Sequence, residues 1–384
     1  MKWEKVEIGK ISKVISGYPF KSHDFKPEGT PIIKIKNIKD EHIVLNESDC
    51  VDSAIEVPIR FHLSKGDILI SLTGSHITLP SSVVGRVAKY RHDTNSYLNQ
   101  RAGKFINIDL EKCIKDYLFY FLIQKETLTR IALKAQGAAN QANISPGDVE
   151  GIEINLPPLP TQRRIVSILS AYDDLIENNL KRIKLLEEKA QLHYKELIQN
   201  SVCWDKVRIE EFVSVVKGRK PANVLEQPEE DSLLYLLLDT VERSKTLWTT
   251  DLTLPLSKES DVLMCMDGAR SGLVFRGMDG AIGSTMAIWR SNSDRVSGEF
   301  LFQFLKQNES AITQGNTGSA IPHANRKFIF DMKLLMPPKR EIDFFNKMTN
   351  PLVNLIKTLY NQNAKLREAR DILLPRLMNG EIVV

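Results

Sequence analysis

Cysteine is scarce in this chain. Its four cysteines, Cys50, Cys113, Cys203 and Cys265, lie far apart in 384 residues, with no C-x-x-C pair. Such spacing offers neither a zinc-ligand set nor a disulfide framework, and it fits a reducing cytosol. No apolar run reaches the length of a membrane span. The N-terminal MKWEKVEIGK has no apolar core of the kind a signal peptide carries. Low-complexity tracts are missing too. Charge of one sign is in only slight excess: 52 Lys and Arg against 48 Asp and Glu give a net charge of +4. A mildly basic balance permits contact with nucleic acid without requiring it. Hydrophobic content of 42% and charged content of 26% are ordinary for a soluble globular protein. The length allows two or three domains with their own cores.

The motifs of common catalysts are also missing. There is no G-x-x-x-x-G-K-[ST] to cradle a phosphate, no H-E-x-x-H or metal-spaced His/Asp/Glu cluster, and no G-x-S-x-G. The N/D-P-P-Y/F/W motif of amino-methyltransferases is absent: Pro157-Pro158 lies between Leu156 and Leu159, and Pro337-Pro338 between Met336 and Lys339. The run GNTGS at 315–319 resembles a Gly-rich phosphate loop but neither follows a clear strand nor opens a helix. Asp173 and Asp174 read as a charged pair on the outer face of a helix. No catalytic residue and no metal ligand is expected.

What is present is a repeat. LPPLPTQRRIVSIL (156–169) and LMPPKREIDFFNKM (335–348) each run into a long amphipathic segment. Upstream of each, landmarks recur in one order. WEKVEIG at Trp3 answers WDKVRIE at Trp204, and KVISGYP (13–19) answers SVVKGRKP (214–221). IIKIKN (32–37) answers LYLLLD (234–239), and GDILISLTG (66–74) answers SDVLMCMDG (260–268). DYLFYFL (116–122) answers EFLFQFL (299–305), and QGAANQANIS (136–145) answers NTGSAIPHAN (316–325). The offset shrinks along the series, so the first copy carries extra residues, mostly between Asn37 and Tyr117. Each copy alternates strand signals with Gly, Pro and Asn punctuation. Each also contains one helical stretch, at 111–134 and near 298–312.

The two long segments carry heptad seams. In the first, Ile165, Leu169, Tyr172, Ile176, Asn179, Ile183, Leu186, Ala190, His193 and Leu197 alternate at spacings of 4 and 3. Asn179 and His193 are polar interruptions, and such residues fix register at some cost in stability. No second ligand accompanies His193, so a seam histidine is expected rather than a metal ligand. In the second, Phe345, Met348, Leu352, Leu355, Leu359, Gln362, Leu366, Ala369 and Leu373 continue the pattern, with Gln362 as interruption. Pro351 either opens a fresh helix capped by Asn350 or kinks a continuous one. Pro375 is expected to disturb the last turn, and Asn379-Gly380 to cap it. Each helix is the natural partner of the other, antiparallel. The alternative is an amphipathic helix packed on its own head. The fold class expected is α+β: two similar, mainly β heads, separated by two long helices forming an antiparallel coiled coil, with a pseudo-two-fold internal repeat. The divisions are 1–155 and 203–335 for the heads, and 156–202 and 336–384 for the helical regions.

Both heads have loops of residue types suited to DNA. Asn and Gln pair bidentately with adenine, and Arg with guanine. Lys, Ser and Thr hold phosphates, though the same residues serve as ordinary turn chemistry. The candidates in the first head are Lys21, Thr73, Gly74, Ser75, Arg86, Asn99, Gln100, Arg101, Gln136, Gly137, Asn140, Gln141 and Asn143. In the second they are Arg219, Lys220, Arg270, Ser271, Ser284, Thr285, Asn316, Thr317, Ser319, His323, Asn325 and Arg326. Two matched heads on a rigid spacer could read two half-sites.

At this point the chain resembles the specificity subunits of type I restriction-modification systems over nearly its whole length. The resemblance is carried by PPLPTQRRIVSIL leading into the long helix, with PPKREIDFFNKM as a degenerate second copy. The family pattern is an aliphatic residue, Pro-Pro, then Glu-Gln. Here Thr161-Gln162 stands in the first copy, and Arg340-Glu341, without the Gln, in the second. The resemblance implies two target-recognition domains, each reading one half of a bipartite asymmetric DNA site, and two helices acting as a ruler. It implies docking of two adenine-N6 methyltransferase subunits, to which restriction subunits are added. It also implies no catalysis and no cofactor in this chain, with AdoMet, ATP and Mg²⁺ held by the partners, and a cytoplasmic location. The competing readings are a two-headed protein-binding scaffold and a diverged nuclease or methyltransferase. A two-headed RNA binder lacks the aromatic stacking platform it would need.

Overall fold

A computed structural model describes residues 3–39, 41–45, 48–76, 84–138, 141–201, 203–318 and 321–384. Asn140 and Ser319 lie outside the described residues. The chain gathers into two compact units, Met1–Glu177 with Asn363–Val384, and Asn178–Gln362. Both divisions fall inside long helices, Leu159–Gln199 and Lys339–Met378. Each unit therefore owns one head and a portion of each helix.

The first head is built on two sheets. One runs in the order Lys13–Ser16, Ala102–Ile106, Ile68–Ser71, Val87–Lys89, Glu41–Ile43, Ile38–Lys39. Its strand Ile68–Ser71 is buried at every position, as a strand flanked on both edges and covered on both faces must be. The second sheet sets Thr30–Ile33 parallel to Ser96–Leu98, which is antiparallel to His62–Leu63. Against the first sheet packs Lys115–Ile123, whose residues from Tyr117 onward are all buried. The single helix expected over 111–134 is two. Gln124 adopts an extended backbone (ψ 135°), and a second helix, Lys125–Ala132, starts after it.

The second head repeats this order. Val213–Lys217, Met286–Ser291, Val262–Cys265 and Val274–Arg276 form one sheet, and Leu233–Leu236 lies parallel to Gly280–Ile282 beside Leu256–Ser257 in the other. Its helix Gly298–Gln307, capped by Ser297, occupies the place of Lys115–Ile123, and again a break follows, at Asn308. The first head's sheet continues past Val87–Lys89 by two strands with no counterpart among the described residues of the second, which is where part of the extra sequence goes. In each head a first strand closes on the strand that precedes a long helix: Glu4 faces Leu156, and Lys206 faces Leu335.

The long helices run antiparallel within each unit. In the first unit Asp173 meets Arg370 and Ile176 meets Asn363. In the second, Ile183 clusters with Ile356 and Leu359, and Tyr194 meets Phe345. Ile165, Leu169, Ile176, Asn179, Ile183 and Ala190 are buried, with Tyr172 and Leu186 half-buried. The second helix departs from the expected phase. Phe345 and Leu359 are buried, and Leu352, Leu366 and Leu373 are half-buried. Met348, Leu355 and Gln362 face solvent, while Thr349, Ile356, Asn363 and Arg370 are buried instead. The alternation starts with a step of 4 after Phe345, not 3. Apolar residues stand at both choices in Leu355-Ile356, and the buried Thr349, Asn363 and Arg370 disguise the true seam. Pro351 lies within an unbroken helix, so the fresh start capped by Asn350 does not occur. Pro375 is likewise inside it, and Gly380 follows the helix end in the left-handed region (φ 73°).

Candidate nucleic-acid interface

In the first head, strand order brings separate loops to one place. Thr73 pairs with Asn143, and Asn143 pairs in turn with Gln136, making a three-stranded patch from Thr73–Gly74, Gln141–Asn143 and Gln136–Ala138. The Thr73 hydroxyl donates to Asn143 Oδ1 at 2.9 Å. Next to it, the Leu72 N–H donates to Arg101 O at 2.9 Å, and the Ile144 N–H to Leu72 O at 2.8 Å. The turn Asn99-Gln100-Arg101 is thus tied to the patch. Gln100 N–H reaches Tyr18 O, three residues before Lys21. Gln100, Arg101, Gln136, Gly137, Gln141, Asn143 and Lys21 are exposed, whereas Thr73, Gly74 and Asn99 are buried. Ser75 and Arg86 are half-buried, the latter donating its N–H to Ser71 Oγ.

The turn depends on a glycine. Gly17 donates its N–H to Ala102 O at 3.0 Å, and a Cβ there would collide with the carbonyl oxygens of Leu98 and Asn99. Gly218 holds the same place in the second head, donating to Met286 O at 3.0 Å, with the carbonyl oxygen of Gly283 where a Cβ would stand.

The second head reproduces the patch pair by pair. Asp267 pairs with His323, and His323 with Thr317, where the first head has Thr73, Asn143 and Gln136. His323 Nδ1 lies 2.7 Å from Asp267 Oδ1, and Lys217 Nζ lies 3.2 Å from Asp267 Oδ2. Partial burial would raise the Asp267 carboxyl, but hydrogen bonding to His323 and Lys217, with the charge of both, outweighs it and holds the group below its ordinary value. A cleft of about 230 Å³ opens here, with Lys217, Asp267, His323 and Arg326 above an apolar floor including Met266 and Ala287. Lys217 was missed in the sequence; its one signal was its place at a strand end, just before the repeated glycine.

Other candidates in the second head serve the scaffold. Arg270 is tied to Glu242 by two hydrogen bonds, and Arg219 donates to Thr253 O. Ser271 is buried, and both its Oγ and its carbonyl accept from Asn316 Nδ2. Asn325 caps the helix Arg326–Asp331, its Oδ1 accepting from the Phe328 N–H. Lys220, Thr317 and Arg326 are exposed, and Ser284 and Thr285 half-buried.

A cluster not foreseen lies in the first unit. Asp173 is not on an outer face: its side chain is 5% exposed and accepts from Arg370, Arg91 and the Tyr120 hydroxyl at 2.8, 3.0 and 2.9 Å. Glu41, a non-glycine residue at φ 68°, forks onto the same Arg370 at 2.6 and 2.9 Å. Burial outweighs the pull of Arg370 and pushes the Glu41 carboxyl up to about 7. Asp173 and Asp371 compete with Glu41 for one guanidinium. Burial, then Arg91 and Arg367, pushes His42 down to about 4. Among the described residues no group of three or more His, Cys, Asp or Glu could hold a metal, and no helix is long and apolar enough to cross a membrane.

A family model described as the type I restriction modification DNA specificity domain matches residues 1–188. The chain is 24% identical over 406 residues to a provisionally assigned type I restriction enzyme MjaX specificity subunit of Methanocaldococcus jannaschii, covering 100% of this chain and 94% of that one. It is 23% identical over 478 residues to the type I restriction enzyme HindI specificity subunit of Haemophilus influenzae, covering 99% of each. The crystal structure of the S subunit of a type I restriction-modification system from M. genitalium shares the fold, with a TM-score of 0.53 at 16% identity, over 98% of this chain and 96% of that one. Specificity subunits are non-catalytic, the catalysis lying in partner subunits. Residues 1–188 thus belong to the type I restriction modification DNA specificity domain family, and the whole chain, with two heads of one strand order and paired long helices, is similar to the specificity subunits of those systems.

Proposed function

We propose that this chain binds double-stranded DNA at a bipartite asymmetric site, one half read by each head, and docks two adenine-N6 methyltransferase subunits, to which restriction subunits are added. Residues 1–155 and 203–335 act as the recognition domains, and 156–202 and 336–384 as the helical ruler and docking regions. AdoMet, ATP and Mg²⁺ belong to the partners, and the complex works in the cytoplasm. The observation that carries the reading is the duplicated patch: the same pairing register, Thr73–Asn143–Gln136 and Asp267–His323–Thr317, presents different side chains in the two heads. One scaffold with two sets of polar edges suits two different half-sites. Lys21, Arg101, Lys220 and Arg326 are exposed cations available to phosphates.

The test is an adenine-methylation map of a host expressing the methyltransferase subunit, with and without this gene. A bipartite motif that vanishes with the gene is expected. An unchanged map would overturn the reading in favour of a scaffold that binds protein. Insertion of one heptad into both helices is expected to lengthen the spacer and leave both half-sites unaltered.

A further inference from the structure

The two patches match in register but not in chemistry. Asn143 and His323 occupy equivalent exposed positions, and each is oriented by the residue across the ladder, Thr73 or Asp267. In the first head the Thr73 hydroxyl donates to Asn143 Oδ1 at 2.9 Å. That bond takes up one of the two lone pairs of the amide oxygen and leaves both Nδ2 hydrogens free to donate. In the second head Asp267, an ionised carboxylate, lies 2.7 Å from His323 Nδ1. A carboxylate can only accept, so Nδ1 is the ring nitrogen that donates to it, and in the Nδ1–H tautomer Nε2 offers a lone pair. The first head therefore presents a donor where the second presents an acceptor.

We propose that Asn143 and His323 are specificity-determining residues, each reading one base pair of its own half-site with opposite polarity. Asn143 Nδ2 donates to an acceptor atom, guanine O6 or N7, adenine N7 or thymine O4, in the major groove. His323 Nε2 accepts from the exocyclic amino group of adenine or cytosine. Thr73 and Asp267 are positioning residues. Lys217, 3.2 Å from the other Asp267 oxygen, and Arg326, whose guanidinium lies 5.5 Å from the Phe330 ring centre, flank His323 as cations that fit the adjoining phosphates. The cleft's floor of Val215, Met266, Ala287 and Ala324 gives an apolar surface beside the reading edge. This inference rests on the proposal that the chain reads DNA through both heads.

The experiment uses the full chain with its methyltransferase subunit and maps adenine methylation over a library of randomised sites. Wild type must first yield a bipartite motif; without one, the proposed function itself fails. His323→Ala is then expected to relax one base pair of one half-site by roughly five- to hundredfold, and Asn143→Ala one base pair of the other. The exchange variant, Asp267→Thr with His323→Asn, places the first head's pair in the second. It is expected to change the preferred base to one with an acceptor edge rather than merely relax it. That variant decides the matter should His323→Ala fail to assemble. A motif unchanged in these variants, or discrimination lost evenly across a whole half-site, would overturn the assignment while leaving the wild-type motif, and so the function, intact.

Discussion

Arg370 Nη1 donates to Asp173 Oδ1 at 2.8 Å, with the two side chains only 6% and 5% exposed. One stands on each long helix, and together they tie those helices to the first head through Arg91, Tyr120 and Glu41. Burying such charges gains little by itself; removing one partner is what costs, because it strands the other. Asp173→Ala, which strips a partner from both Arg370 and Arg91, is expected to destabilise the first unit by about 3 kcal/mol or more. Asp173→Leu combined with Arg370→Met should cost less than the sum of the single changes. Urea denaturation of Asp173→Ala, of the double variant and of its two single changes measures both.

The same cluster predicts a pH dependence. The folded state raises the Glu41 carboxyl from 4.5 to about 7, so between those values the folded chain binds more protons than the unfolded one. Stability then falls as pH rises through this window. Glu41→Gln removes that contribution, so the melting temperature of wild type minus that of the variant is expected to fall from pH 5 to pH 8. His42 works in the other direction: pushed down from 6.5 to about 4, it contributes stability that is lost as pH falls through that range. Subtracting the variant's curve separates the two. A constant difference would mean that Glu41 titrates alike in both states.

The helix register gives a paired prediction. Ile356 is 4% exposed and packs with Ile183 and Leu359, whereas its neighbour Leu355 is 37% exposed. Ile356→Ala is expected to cost about 2–5 kcal/mol, and Leu355→Ala less than about 1 kcal/mol. Chemical denaturation distinguishes them, and the opposite ranking would restore the phase read from the sequence.

That phase marks where sequence reading stops. The first seam was legible because Ile165, Leu169, Ile176 and Ile183 are aliphatic with polar neighbours. The second was not, because its buried positions include Thr349, whose hydroxyl is satisfied by Phe345 O of the same helix, and Asn363 and Arg370, whose partners come from distant segments. The repeat of strand order was legible through short apolar runs ending in Gly17 and Gly218. The convergence of Thr73, Asn143 and Gln136 was only half legible. Residue types and repeat position flagged the loops, but pairing across 70 residues is a property of the sheet. Arg270, Arg219 and Ser271 carry the same residue types yet are occupied within the head. Composition cannot tell a side chain spent on the scaffold from one left over.

The turn glycines separate the heads. In each, a Cβ would meet carbonyl oxygens of the facing strand or turn, which can only shift by moving backbone. Gly17→Ala and Gly218→Ala are each expected to cost about 1–3 kcal/mol of local stability and to weaken discrimination in one half-site only, opposite halves for the two variants. Competition binding with duplexes altered in one half or the other checks this.

The core of the first head contains Ile8, Ile11 and Val14 together with Leu374, Leu377 and Met378. A ribosome emits these groups far apart in time, with the whole of the second unit between them. The second unit can therefore close while translation continues, but the first keeps an apolar face unfilled until the last helix emerges. During that interval it is the part exposed to chaperones, proteases and aggregation. A transcript cut short just beyond residue 362 would thus damage the head made first and spare the one made second.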